Sequence, residues 1–516
     1  AIPRLFARRG PRSSSTRPAA PLGSAPWHFS SGMVSVTKVS KALGDVSHED
    51  LLAIARRVLE LGGIGPFVNA FKDCGREDDL EPPKKRAKRA RKGKSDFDMA
   101  RWAKRDIALW ISYDGEKYCG FAEQRDDTEK IATVEARVFD ALKKCCLITD
   151  RDSCDYSRCG RTDKGVSALS QVLGLQVRAQ CRVEDGDALG FAPVVDHAGD
   201  VVGGLGHREQ DYALMLNRVL PEDIRAVAWA PTPRGFSARF SAGARVYRYF
   251  FCGGYDVAAM RAAAARLVGD HDYRNFCKMD ILHVKNFRRL IYHASISKSG
   301  SGTGADEAWC FEIRGQAFLW HMVRCIVAVL FLVGERKEEP SVIDALLDVE
   351  TTARRPQYTM APEEPLVLHG CEFNTLRPMP LPENLMKITD HYEAAVRRAT
   401  VALARARNAV ETTRGLSVRS ADVLAFLDER KVAIPPELAS RQTVVWGDAH
   451  WLLQAAKTAR DAHVYVPLAS RHGCQTYDEK VDALGGRKLL EYEESMRKRH
   501  EEPENDAFHD DARNFG

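Results

Sequence analysis

The chain has 516 residues with a formal net charge of +5, and 44% of its residues are hydrophobic. This length allows several domains and a sizeable buried core. The mild net charge does not by itself indicate a nucleic-acid partner. The thirteen cysteines are scattered without a CxxC pair, which argues against a zinc ribbon or a disulfide framework and favours reduced thiols in a nuclear or cytosolic protein. The longest apolar run, Cys325 to Val333, is too short for a membrane span, which needs about 20 residues, and predicts a buried helix.

Residues 1–44 contain no Asp or Glu, and five arginines lie among serines and alanines. This composition is typical of a mitochondrial transit peptide. The alternative is upstream sequence ahead of a translation start at Met33. Both interpretations predict disorder.

Residues 45–105 are predicted to form a short helix and a basic linker. Ser47 opens a capping box with Asp50 in place of the usual Glu, and apolar residues follow at helical spacing. We expect this helix to dock on the same chain, with partner binding as the alternative. Residues 84–94 contain eight basic residues among eleven, and three interpretations compete: a nuclear localisation signal, which we favour, a nucleic-acid-binding arm, or a solvated linker.

Residues 106–240 show the pattern of a first folded unit. Apolar residues alternate from Ile107 to Tyr113, which predicts a strand, and Thr133 has the position of an N-cap for a helix that runs to Cys146. Residues 184–206 lack periodicity. This segment is predicted to be an insertion loop that takes no part in catalysis. The other predicted elements are a strand that leads into residues 156–168, a strand over 172–178, a helix over 212–220 and a strand over 224–230.

The same order of elements recurs in residues 241–376, although no sequence repeat accompanies it. The pattern therefore predicts an α+β fold of two ferredoxin-like (β-α-β-β-α-β) half-domains. A helical extension with a charged tail is expected over residues 377–516, with helices at 385–410, 421–429 and 451–462 and disorder over 495–516. The second unit is predicted as strands over 245–252, 290–298, 309–315 and 366–373 and helices over 257–268 and 319–333.

The segment from Tyr156 to Ala168, here named the Asp loop, is the most informative stretch of the chain. Gly160 and Gly165 flank Arg161 and Asp163, and glycine lets a backbone turn where other residues would clash. We therefore expect a tight bend between strands that presents both side chains. A carboxylate held there can act as nucleophile, base or ion-pair partner, although an Arg-x-Asp triplet alone is more typical of a surface turn.

The longer string changes this interpretation. Cys159 to Ala168 reads CGRTDKGVSA and resembles the signature of the TruA-type tRNA pseudouridine synthase family. Lys164 and Ser167 stand where bacterial members usually carry Ala and His, so the string is most similar to the eukaryotic branch, which modifies positions 38 and 39 of tRNA. Residues 113–121 resemble the opening motif of the family. The resemblance covers roughly residues 106–376.

The resemblance implies an isomerase that converts uridine to pseudouridine in the anticodon stem-loop without a metal or another cofactor. It also implies a homodimer, and a continuous sheet in each subunit with RNA over the cleft between the half-domains. Asp163 matches the family nucleophile. Arg324 matches the partner of that carboxylate, and an Arg in so apolar a helix is costly unless it is paired.

Three further residues match substrate-binding positions of the family: Arg161, which helps to evict the base, Tyr247, which stacks on the target base, and Leu366, which packs in the active site. Arg239 also matches a family motif and is expected to bind the substrate RNA, with a solvated surface charge as the alternative. Alternation places Tyr249 on the same face as Tyr247, and both Tyr247 and Leu366 also fit strand core. Residues with weaker indications are Arg158, Lys164 and Lys278, as phosphate ligands or solvated charges, and His321, as a core or cleft residue rather than an acid or base.

Two other functions remain open. One is a non-catalytic RNA-binding protein, such as a tRNA chaperone, on the same scaffold. The other is a pseudouridine synthase with a different target position or RNA, since shape governs much of RNA recognition. The basic run favours the nucleus, reduced thiols fit the nucleus or the cytoplasm, and the first 32 residues favour mitochondria.

Overall fold

A computed structural model of the chain describes residues 98–123, 132–182, 194–195, 201–202, 210–282, 284–300, 307–374, 376, 378, 380–429, 442–447, 450 and 465–501. All of them belong to one compact unit, Lys94–Gly516. The predictions for residues 1–44, for the helix after Ser47, for the basic run and for the helix over 451–462 lie outside the described residues. None of the helices described has the length and apolar character that would let it cross a membrane.

The described elements form a mixed α/β fold. The predicted strands and helices of residues 106–376 are present in place and type, with bounds that differ by a few residues. The strands are β1 (Trp102–Tyr113), β2 (Ser157–Arg158), β3 (Ser167–Arg182), β4 (Val194–Val195), β5 (Val201–Val202), β6 (Ile224–Pro231), β7 (Ala244–Cys252), β8 (Gly269–Asp272), β9 (Arg288–Lys298), β10 (Ala308–Gly315), β11 (Leu366–Glu372), β12 (Ser417–Arg419) and β13 (Thr443–Val445). The helices are α1 (Val134–Lys144), α2 (Tyr212–Leu216), α3 (Val257–Ala265), α4 (Met322–Gly334), α5 (Val342–Leu347), α6 (Pro382–Arg414), α7 (Ser420–Glu429), α8 (Tyr477–Asp482) and α9 (Arg487–Glu501).

One large sheet organises the molecule. Its strand order is β6-β1-β3-β11-β7-β10-β9-β8, and β2 pairs with β3. The neighbouring strands are antiparallel except for β3 and β11, which run parallel and pair Val367 with Ser167 and Leu368 with Ala168. Because β3 begins where the Asp loop ends, this parallel pair places the Asp loop where the two halves of the sheet meet.

Each half of the sheet carries its own hydrophobic core. The first core packs α1 and α2 against β1, β3 and β6, and the second packs α3, α4 and α5 against β7, β9 and β10. Helix α1 begins as predicted, because Thr133 Oγ1 accepts a hydrogen bond from the Ala136 amide at 3.3 Å. Tyr247 packs against both cores, so its ring lies at the junction beside the Asp loop.

The C-terminal extension begins with α6, which is longer than predicted. The buried Asn384 donates to the Ala226 and Val227 carbonyls, each at 3.1 Å, and ties the start of α6 to β6. The predicted disorder is wrong for residues 495–501, which continue α9, because its Glu, Lys, Arg and Leu residues are good helix formers despite their charge. The insertion predicted as a loop contains the paired strands β4 and β5, which consist of valines, a residue favoured in strands.

Candidate active site

The opening segment of the fold holds one side of the Asp loop. The Phe121 amide donates to the Thr162 carbonyl at 3.1 Å, and the Gly165 amide donates to the Tyr118 carbonyl at 3.2 Å. Gly115 allows the close approach, since a Cβ there would lie 2.1 Å from a carbonyl oxygen of the Asp loop. The opening motif and the Asp loop, which both resemble the family, are therefore in direct contact. The Asp loop begins at Tyr156, 41 positions after Gly115.

Gln171 of β3 holds the other side of the loop. Its buried side-chain amide accepts from the Gly160 amide at 3.2 Å and donates to the Gly160 carbonyl at 2.8 Å. Gly165 has a φ of +77°, a conformation that glycine adopts without strain. The expected tight turn is thus made at Gly165, whereas Gly160 has no positive φ and owes its position to Gln171.

A cleft of about 1070 Å³ opens at the junction of the two halves. Aromatic, aliphatic and cationic side chains line it together. The six residues predicted to form the site all lie on its wall: Arg161, Asp163, Arg239, Tyr247, Arg324 and Leu366.

The Asp163 carboxylate is contacted on both oxygens. The Trp320 indole Nε1 donates to Oδ1 at 3.2 Å, and the His321 Nε2 lies 3.4 Å from Oδ2. The side chain is 26% exposed, and burial raises the pKa of the carboxyl above its ordinary value, with His321, Arg324 and the Trp320 hydrogen bond acting against the rise. Burial also lowers the pKa of His321. The carboxylate is therefore partly desolvated, a state that increases the reactivity of a nucleophile.

Arg324, in the first turn of α4, has a direct partner different from the predicted one. Its Nε donates to the Ala361 carbonyl at 2.8 Å, and its Nη2 donates to Glu363 Oε2 at 2.7 Å. The direct ion pair is thus with Glu363, and Arg324 acts on Asp163 through space, where its charge lowers the pKa of the carboxyl. The Glu363 carboxylate therefore offsets the cost of burying the Arg324 guanidinium. Glu363 is also close enough for its charge to act on Asp163.

The structure separates the two tyrosines that alternation left equivalent. Tyr249 is 1% exposed and packs edge-on against Phe331 in the second core. Tyr247 lines the cleft, with its ring edge-to-face on Phe318 at 5.0 Å. Leu366 belongs to the second core and also lines the cleft, so both interpretations of Leu366 hold.

A basic and aromatic group of residues forms another part of the cleft wall. Burial and the charges of Arg158 and Arg239 lower the pKa of Arg161, which indicates mutual repulsion between cations. The Arg239 guanidinium lies 5.2 Å from the ring centroid of Phe240, and Phe240 is 62% exposed. Cations beside an exposed aromatic ring suit phosphates and nucleobases.

Two of the weaker candidates have structural partners. Arg158 forms an ion pair with the fully buried Glu135, which also binds Arg151 at 3.0 Å and accepts from the Tyr156 hydroxyl at 2.6 Å. Lys278 Nζ lies 4.4 Å from the ring centroid of Trp320. Arg158 is therefore paired with a buried carboxylate although it also lines the cleft, whereas Lys164 is exposed.

Sequence analysis missed Trp320 and Glu363 as members of the site. Trp320 lies four positions before Arg324 on the same apolar segment, and this proximity was the available signal. No local pattern distinguishes Glu363, which reaches the site from the segment before β11.

The profile of the family described as tRNA pseudouridine synthase matches residues 263–374. The tRNA pseudouridine(38/39) synthase of Bos taurus is 44% identical over 295 residues, which cover 55% of this chain and 59% of that protein. The protein of the same name from Saccharomyces cerevisiae is 40% identical over 291 residues, 55% of this chain and 61% of that protein.

An archaeal relative is covered more completely. The tRNA pseudouridine synthase A of Methanothrix thermoacetophila is 35% identical over 271 residues, which cover 52% of this chain and 84% of the relative. The chain belongs to the tRNA pseudouridine synthase family. The match spans about three fifths of the length of its eukaryotic relatives.

Proposed function

We propose that this protein isomerises uridine to pseudouridine in the anticodon stem-loop of tRNA, at positions 38 and 39, with Asp163 as the nucleophile. The names of the eukaryotic relatives support the substrate and the positions. The observation that carries the catalytic assignment is the Asp163 carboxylate, which is contacted on both oxygens inside a cleft that also contains Tyr247 and Arg161.

The reaction is balanced without an external reagent. The bond between N1 of uracil and C1′ breaks, the base turns, and a bond between C5 and C1′ forms. The hydrogen on C5 leaves as a proton and N1 gains a proton, so there is no net oxidation or reduction. A carboxylate that adds to the substrate divides this exchange into smaller steps, and exclusion of water limits side reactions.

The other cleft residues suit the handling of a flipped base. Extrusion of a uridine from its stack costs a few kcal/mol, which contacts in the pocket offset. Tyr247 offers a ring face for stacking, and Arg161 has the planar fork that suits phosphates and base edges. We assign Tyr247 to the target base, Arg161 to eviction of that base and Arg239 to the RNA backbone.

We further propose that each half of the sheet is a ferredoxin-like unit. The strand orders β6-β1-β3-β2 and β11-β7-β10-β9 support this, because each half follows a β-α-β-β-α-β succession in which the last strand lies beside the first. In this proposal β8 is an added edge strand of the second unit. The domain bounds, the homodimer and the cellular location stay predictions.

The proposal is tested by mapping pseudouridine in unmodified tRNA transcripts. Transcripts that carry uridine at position 38, at position 39 or at neither are incubated with wild type and with Asp163→Ala, and sites are read as reverse-transcription stops after carbodiimide treatment. We expect stops at the uridines of positions 38 and 39 with wild type only. Binding without product would indicate an RNA-binding protein, stops elsewhere another target, and equal stops with both proteins a different nucleophile.

A further inference from the structure

Two consecutive side chains reach the two oxygens of Asp163. Trp320 and His321 lie in the turn before α4, and the loop that carries Asp163 is 157 positions away in sequence. The indole N–H is directed at Oδ1, and the imidazole Nε2 lies nearest Oδ2. The two rings lie against each other with centroids 4.7 Å apart. Together they enclose the carboxylate from the side of α4.

The backbone of His321 makes this arrangement achievable. Its φ of +60° and ψ of 10° are left-handed, which is uncommon for a residue with a Cβ. Neighbouring residues in extended backbone point in opposite directions, whereas the left-handed turn at His321 lets both side chains reach the same group. Such strained conformations occur preferentially at functional sites.

Lys278 makes two contacts with Trp320. The Lys278 amide donates to the Trp320 carbonyl at 3.0 Å, and the ammonium lies over the indole ring. Trp320 is 44% exposed, and a side chain so open to solvent needs such contacts to keep a single orientation. The indole thus contacts the Lys278 ammonium through its ring and the Asp163 carboxylate through its N–H.

We propose that Trp320 and His321 form a carboxylate clamp that orients Asp163 for attack on the substrate, so that both are positioning residues of the reaction. This proposal rests on the proposed function. The indole N–H occupies a lone pair of Oδ1, whereas Oδ2 has only the longer contact with His321. Oδ2 is therefore the less tightly held of the two oxygens.

The charged groups around the clamp define the protonation state in which it works. Arg324 and Glu363 act on Asp163. Burial, together with the charges of Arg324, Lys278 and Arg355, lowers the pKa of His321 and favours its neutral form, and the charge of Asp163 acts against this. His321 Nδ1 is buried and has no hydrogen-bond partner among the described residues. The neutral tautomer with its proton on Nε2 leaves no buried N–H unpaired and directs that proton toward Asp163.

The variant Trp320→Phe removes the indole N–H and keeps an aromatic ring. We expect kcat to fall by about 10- to 100-fold, the size typical of a lost hydrogen bond to a charged group, with the KM for tRNA changed by less than about threefold. The acid limb of the kcat profile should move to higher pH, because the lost hydrogen bond lowers the pKa of Asp163 in wild type. A residue with a merely structural role would not move this limb.

Trp309→Phe is the matched control. Trp309 also lies beneath a cation, with Arg261 5.4 Å from its ring centroid, but it lies on β10 and does not line the cleft. We expect its kcat and pH profile to equal those of wild type. Wild-type kcat and an unmoved acid limb in Trp320→Phe would contradict the clamp while leaving the proposed function intact.

A second measurement does not depend on catalysis. In protein labelled with 5-fluorotryptophan, the ¹⁹F signal that disappears in Trp320→Phe belongs to Trp320. We expect this signal to titrate with pH in wild type and to lose that titration in Asp163→Asn. If wild type forms no pseudouridine, the proposed function fails and this titration still decides whether Trp320 binds the carboxylate: a signal that does not respond to Asp163 would overturn the clamp.

Discussion

Arg324 and Glu363 form an ion pair of 2.7 Å between the first turn of α4 and the segment before β11. Glu363 also lies against the Asp loop, since a Cβ on Gly165 would be 2.7 Å from its Cγ. The pair brings a second carboxylate to the site, and the charge of Glu363 raises the pKa of Asp163. Arg324 and Glu363 therefore act in opposite directions on the pKa of Asp163, which burial raises.

Glu363→Gln should move the pH profile in the opposite direction to Trp320→Phe. Loss of the Glu363 charge removes one cause of the raised pKa of Asp163, so the acid limb of kcat should shift to lower pH. Glu364→Gln, which changes the adjacent residue, is the control. The measurement is pseudouridine formation under single-turnover conditions across pH. A shift to higher pH would show that the main effect of Glu363 is to hold Arg324 in place.

Asp163→Asn should abolish activity and stabilise the fold. The pKa of Asp163 is raised on folding, so its charged form is less favourable in the folded protein and costs stability at neutral pH. We expect Asp163→Asn to be more stable than wild type at pH 7. The gain should disappear as the pH falls below the unfolded-state pKa, where Asp163 is protonated in both states. Urea denaturation at pH 7 and in acid measures it, and equal stability of the two proteins at pH 7 would contradict a desolvated carboxylate.

Tyr247→Ala and Tyr249→Ala should fail in different ways. Loss of the Tyr247 ring removes a stacking surface worth about 1–3 kcal/mol, so kcat/KM should fall by about 5- to 150-fold. Tyr249 is buried core, and large-to-small changes of core aromatics cost about 3–5 kcal/mol of stability. Activity and thermal unfolding of both variants test the distinction. A variant Tyr247→Ala with wild-type activity would exclude base stacking on this ring.

Arg161→Gln and Arg239→Gln should each weaken tRNA binding and reduce its dependence on salt. A cation that contacts phosphate contributes about one unit to the slope of log affinity against log salt concentration. Filter binding at salt concentrations between about 50 and 200 mM measures the slope. An unchanged slope in both variants would place these guanidiniums away from the RNA backbone.

Arg158→Gln serves as the control for those two variants. Arg158 is paired with the buried Glu135, so its loss leaves a buried carboxylate short of a partner and should cost about 1–3 kcal/mol of stability. The salt slope of tRNA binding should stay at the wild-type value. A reduced slope with unchanged stability would restore Arg158 as a phosphate ligand.

The sequence predicted the parts of the site that depend on local structure. The Asp loop could be read as a turn because its glycines and its flanking apolar runs are contiguous, and the α1 N-cap at Thr133 follows from residues three positions apart. The coarse fold, a large mostly antiparallel sheet with helices, follows from the same local periodicities. The six candidate residues reach one cleft because the predicted order of elements is correct.

The partners of charged groups could not be predicted in this way. The ion pair of Arg324 with Glu363 joins residues 39 positions apart, and the contact of Trp320 with Asp163 depends on the pairing of the two halves of the sheet. Glu135 occupies an ordinary helical position in sequence, and only the structure shows the two arginines that converge on it. Such contacts are decided by tertiary packing, which no periodicity encodes.

Release of tritium from tRNA transcripts labelled at C5 of uridine tests the central claim most directly, because formation of the C5–C1′ bond must expel that hydrogen. Wild type and Asp163→Asn are compared at equal concentrations of folded protein and with equal binding of tRNA. We predict that wild type releases an amount of tritium equal to that carried by the target uridines. We predict no release above background by Asp163→Asn. Release by Asp163→Asn at the wild-type rate would show that the carboxylate of Asp163 is not the catalytic group.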